Sequence, residues 1–143
     1  MSQDRLDSLS DLQRGLLMNG FRMTKAGGII VYSTCSLSRA QNEDIVAWFI
    51  AGMRGRAVLE PLPKHALGIQ TATCKRPCRS IVANALGLPT AMDANGQVQW
   101  QGTPQQESDM KQFQDHIQEM CLRYDPLASK TSGFFLARIR KIV

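Results

Sequence analysis

One residue sits where a chain can present a nucleophile. Cys35, in Val31-Tyr32-Ser33-Thr34-Cys35-Ser36-Leu37, follows an apolar, β-branched run and precedes an amphipathic helical stretch. The positive end of a helix dipole stabilises a thiolate held near it, which suits a reactive cysteine. Cysteine is also a common small buried hydrophobe, and spacing alone does not choose between the two roles. Cys74, Cys78, His116 and Cys121 supply enough ligand types for a tetrahedral zinc site. Against zinc, His116 and Cys121 fall about 140° apart around a helix and point to different faces. Lys75, Arg76 and Arg79 form one basic cluster and Arg138, Arg140 and Lys141 another. Either can meet phosphates, with a solvated face as the bland alternative. His65, in a proline-flanked loop, reads as a surface residue without a role.

Positioning these groups falls to a few elements. Leu6, Leu9, Leu12, Leu16, Leu17 and Phe21 recur every three or four residues and predict a helix from 6 to 23 with its stripe on a core. Gly27 and Gly28 end it. Ile29 to Tyr32 predicts a strand covered on both faces, as in a parallel sheet. Ser38 and Gln41 have the form of a capping box for a helix from 39 to 54, whose apolar face is Ile45, Val46, Trp48, Phe49 and Met53. The segment 33–37 therefore lies at a strand's carboxyl end, where open α/β sheets place ligands. Val58 and Leu59 suggest a short strand, and the stretch from Thr71 to Arg79 reads as loop. Asn95-Gly96 predicts a hairpin. Thr103, Pro104 and Gln106 start a helix whose face, Met110, Phe113, Ile117, Met120 and Tyr124, continues to Pro126. Residues 133–142 read as a final strand.

Composition sets the bounds. At 143 residues, 43% hydrophobic and 20% charged, the chain fits one domain with a core and is not disordered throughout. No apolar run approaches the roughly 18 residues that span a bilayer, so no membrane role is expected. Lys and Arg number 17 against 12 acids, a net charge of +5 that favours polyanions such as nucleic acid. The first eleven residues carry Asp4, Asp7 and Asp11, unlike an Arg-rich organelle presequence. The four cysteines, with no secretory signal in view, read as free thiols.

The segment from Lys25 to Ser38, followed by Gln41-Asn42-Glu43, resembles the Sun (NSUN) family of RNA cytosine-5 methyltransferases. Leu12-Gln13-Arg14, Leu16-Leu17 and the closing run Gly133-Phe134-Phe135-Leu136-Ala137-Arg138-Ile139-Arg140-Lys141 are similar to that family in the same order. The resemblance implies an α/β fold, the C-terminal half of a class I, Rossmann-like methyltransferase domain. It divides the chain into 1–55 (helix, strand, nucleophile loop, helix), a divergent or inserted 56–124, and a closing strand in 125–143. It implies Cys35 as the covalent nucleophile that adds to C6 of cytosine and makes C5 reactive towards the methyl group of S-adenosylmethionine. By their charge Arg39, Lys75, Arg76 and Arg79 are the RNA-contact candidates. Asn42 and Glu43 match the family motif, and a cap or loop-ordering role is expected there ahead of proton transfer. Ser36-Leu37-Ser38 with Gln41-Asn42-Glu43 looks closest to the mitochondrial members, which implies a mitochondrial setting, with nucleus or cytoplasm otherwise.

The family's donor-binding loop, its ribose-binding acid and its Pro-Cys loop belong upstream of this segment. Pro77-Cys78 follows the nucleophile segment instead of preceding it, so the product-releasing role does not transfer to it. The strand at 29–32 is then expected to need a protein chain or upstream segment to complete its sheet. The leading expectation is the catalytic C-terminal portion of an enzyme acting on rRNA or tRNA. The alternative is a catalytically inactive methyltransferase-like subunit, a structural or RNA-binding factor in a ribonucleoprotein such as an assembling mitochondrial ribosome.

Overall fold

The chain was analysed as a computed structural model, which describes residues 3–63, 71–95, 98–129 and 132–143. His65 and the tip of the hairpin at Gly96 lie outside the described residues. The elements run α1 (Gln3–Met23), β1 (Ile29–Thr34), a 3-10 turn (Arg39–Gln41), α2 (Glu43–Met53), β2 (Ala57–Glu60), α3 (Arg79–Leu86), β3 (Thr90–Met92), β4 (Val98–Trp100), α4 (Pro104–Met120), β5 (Leu122–Tyr124), α5 (Pro126–Ser129) and β6 (Phe134–Lys141).

The closing strand β6 organises the sheet. β1 pairs antiparallel along one edge of β6, from Ile29 opposite Arg140 to Thr34 opposite Phe135. On the other edge β2 pairs with its carboxyl end and β5 with its start, both antiparallel. Alternation along β6 sends Phe135, Ala137 and Ile139 into the core, each 0% exposed. Ile45, Val46 and Phe49 of α2 meet them there, as the apolar spacing of that segment requires. Trp48 packs against this core as expected, with the Arg14 guanidinium over its ring. β3 and β4 form a separate two-stranded hairpin. No helix among the described residues is long and apolar enough to cross a membrane.

Several expectations need correction. β1 is neither parallel nor covered on both faces: it pairs with β6 alone among the described residues, and Ile29 and Val31 are exposed. Among the stripe's described side chains only Leu17 and Phe21 are buried; Leu9, Leu12 and Leu16 are exposed, because no described element packs on that side. Ser38 makes no side-chain cap; Arg39–Gln41 form the 3-10 turn and α2 starts at Glu43. The capping box does form at Thr103 and Gln106. α4 stops at Met120, since Leu122–Tyr124 is taken by β6 as a strand. The loop ends at Cys78, and Arg79 already belongs to α3. Arg138 and Arg140 do share one side of β6, but both pair with Glu60 there, and Lys141 donates to the Phe21 and Thr24 carbonyls.

Truncating the centre of the organising strand gives the plainest test. Phe135→Ala is expected to lower the free energy of unfolding by about 3–5 kcal/mol, read as a reduced midpoint in chemical denaturation.

Candidate active site

Cys35 is exposed on the loop leaving β1. It opens onto a groove of about 610 Å³ between α1 and β1, lined by Gln13, Leu16, Val31, Thr34 and Ser36 among others. The groove is bounded on one side by the edge of β1 that has no partner strand among the described residues.

The loop around Cys35 is held by its neighbours. Thr34 Oγ1 donates to Asn42 Oδ1 and accepts from the Ser36 amide at 3.2 Å. Ser36 Oγ accepts the Ser38 amide at 3.1 Å. Asn42, fully buried, donates its Nδ2 to the Ser36 carbonyl at 2.8 Å. Small hydroxyl residues close such turns with their own backbone. Tyr32, just before the loop, donates its hydroxyl to the Gln41 carbonyl at 2.6 Å, and burial pushes its phenol well above the ordinary range.

Glu43 is fully buried and would be costly alone. Its carboxylate is met by a guanidinium fork from β5: Arg123 Nε donates to Oε1 at 2.9 Å and Nη2 to Oε2 at 2.6 Å. The Lys75 amide adds a bond to Oε1 at 2.8 Å. Arg123 Nη1 donates to the Leu37 carbonyl at 3.1 Å, so one side chain joins α2 to the Cys35 loop. Of the cap and loop-ordering roles expected there, Asn42 makes no side-chain cap to α2 and bonds to the loop instead, while Glu43 reaches the loop through Arg123. Sequence reasoning missed Arg123; the only signal is a charged residue between Leu122 and Tyr124 just before Asp125-Pro126.

The expected RNA-contact residues are less free than their charge implies. Arg39 pairs with Asp44 at 3.4 Å, Arg79 with Glu107 at 2.7 Å, and Arg76 with Asp115. Lys75 is exposed, with Nζ 3.5 Å from the Leu37 carbonyl, and so stands beside the Cys35 loop. Cys74 and Cys121 are buried, His116 is exposed, and burial pushes the Cys121 thiol far up. No group of three or more potential metal ligands gathers among the described residues. The groove-lining residues include no charged side chain, so the amino and carboxylate groups of S-adenosylmethionine would find no ionic partner in it. These residues do not by themselves make a donor site.

Asp44 generates a pH prediction. Its buried carboxyl takes a proton more readily than the ordinary value of 3.8, despite the Cys78 amide at 2.6 Å and Arg39, which favour the anion. The folded state therefore holds this proton more tightly than the unfolded chain, and stability falls as pH rises through the interval above 3.8. Thermal melting should show the advantage of the unaltered protein over Asp44→Asn shrinking across that interval and flat above it.

Comparison with known proteins fits this arrangement. The 16S rRNA methyltransferase RsmB/F family profile matches residues 2–140. A ribosomal RNA small subunit methyltransferase F from Shewanella amazonensis is 43% identical over 56 residues, 39% of this chain and 12% of that protein. A multisite-specific tRNA:(cytosine-C(5))-methyltransferase from Schizosaccharomyces pombe is 30% identical over 138 residues, 94% of this chain and 20% of that one. The crystal structure of a methyltransferase homologue from Pyrococcus horikoshii superposes with a TM-score of 0.60 at 27% identity, covering 99% of this chain and 33% of its own. The chain thus matches a third or less of each of these proteins, and shares an α/β fold with the solved one. By the family profile that runs through nearly all of it, the chain belongs to the RsmB/F (Sun) family of methyltransferases.

Proposed function

We propose that this chain is the nucleophile-bearing C-terminal portion of an RNA cytosine-5 methyltransferase acting on rRNA or tRNA. The observation that carries the reading is an exposed thiol, Cys35, on a loop whose following carbonyls at Ser36 and Leu37 are each held by a buried side chain, beside an open groove. In this reading the Cys35 thiolate adds to C6 of a cytosine that has left its stack. That addition makes C5 nucleophilic; once C5 is methylated, loss of its proton to solvent and expulsion of the thiolate restore the aromatic ring. S-adenosylmethionine, which the family implies, would supply the electrophilic methyl group. Its polar contacts and the strand beside β1 come from an upstream segment or a partner chain, which also covers Leu12, Leu16 and Val31. Lys75 is the best placed of the candidates to meet an RNA phosphate, ahead of Arg39, Arg76 and Arg79. A mitochondrial setting belongs to the same proposal and rests on residues 36–43.

A second reading is favoured by the uncharged groove: an inactive methyltransferase-like subunit that binds RNA within a ribonucleoprotein. Its mark is a native assembly that neither binds S-adenosylmethionine nor methylates.

The experiment is methyl transfer by the native assembly containing the chain. Cys35→Ala is expected to abolish methylation and covalent trapping on 5-fluorocytosine RNA while leaving RNA affinity within about twofold, since it removes chemistry and little binding energy. Methylation that persists without the thiol defeats the covalent reading.

A further inference from the structure

We infer that Arg123 is the positioning residue of the nucleophile loop, acting on Cys35 through Leu37. The inference rests on the covalent reading above and adds a residue to it. Arg123 and Glu43 stand 80 residues apart, on β5 and at the start of α2. Both are buried, and their charges are matched in a two-point fork. A buried pair of this kind can often be replaced by apolar side chains without loss of stability. Stability alone therefore does not account for a guanidinium there.

Its remaining donor does. Arg123 Nη1 holds the carbonyl of Leu37, two residues after Cys35, at 3.1 Å. A point charge such as lysine cannot fork onto Glu43 and reach Leu37 in the same geometry. The Leu37 side chain, half exposed, lies close to Gly133. A Cβ at Gly133, whose φ is +84°, would lie 3.3 Å from Leu37 Cδ2 and 3.0 Å from Pro126 Cγ. The guanidinium itself lies 5.8 Å from the Phe135 ring centroid, on the central strand. The core of the sheet thus fixes Arg123, Arg123 fixes the Leu37 carbonyl, and that carbonyl sets where the loop delivers the thiol. Displacements of about 1 Å in a reacting group can lower a rate by about a hundredfold.

Two variants in the native assembly separate positioning from folding. Glu43→Leu combined with Arg123→Met removes the charges together. Arg123→Lys keeps the charge and removes the fork. For each, the melting midpoint, the dissociation constant for 5-fluorocytosine RNA and the rate of the Cys35 adduct at saturating RNA are measured. The expected result is an adduct rate lowered by about tenfold to a hundredfold, with RNA affinity unchanged and at least one variant melting as the unaltered protein does. Adduct rates equal to the unaltered protein's overturn the proposal. So does a parallel loss of melting midpoint, affinity and rate in both variants, which marks Arg123 as structural only. If the unaltered assembly forms no adduct, the covalent reading itself fails and takes this inference with it, an outcome distinct from either variant result.

Discussion

The architecture around Cys35 depends on one buried interaction, the fork of Arg123 on Glu43. Two charges withdrawn from water are tolerated only when each is met with good geometry and the remaining donors and acceptors find partners. Here the Lys75 amide and the Leu37 carbonyl complete the set, so the pair ties together β5, the start of α2, the strap before α3 and the Cys35 loop. Removing one partner alone would strand a buried charge, with a penalty of about 3–5 kcal/mol. That penalty makes the arrangement all-or-none.

The second constraint is the position of β6. Lying between β1 and the β2 and β5 pair, it gives its own residues a closed core and leaves β1 with one edge unpaired among the described residues. The same side of the molecule shows Leu12, Leu16 and Val31 to solvent. An apolar strand edge of this kind templates further pairing, and natural proteins cover such edges. Leu16 and Val31 also line the groove at Cys35.

Much of the local plan was legible in the sequence because it is written in short-range spacing. The β-branched run Ile29 to Tyr32, the periodic face from Ile45 to Met53 and the Thr103 cap each announce an element by themselves, and the junction at Cys35 follows from the first two. Long-range pairing was not legible. Nothing near Arg123 reveals a partner at Glu43, and Tyr124 continues the helical spacing of α4 although β6 holds it as a strand. The basic residues Arg39, Arg76 and Arg79 read as free charge because their acidic partners, Asp44, Asp115 and Glu107, meet them only in the fold. The antiparallel pairing of β1 with β6 was not legible for a related reason: apolar content reports burial, while strand direction is set by the strand that arrives beside it.

The most direct measurement is the mass of the peptide that carries the base. The native assembly is trapped on 5-fluorocytosine RNA and digested with nuclease and trypsin, and the nucleotide-bearing peptide is sequenced by mass spectrometry. The account predicts the added mass on Cys35, within residues 26–39. Added mass on the peptide bearing Cys78, or on no cysteine of this chain, would contradict it.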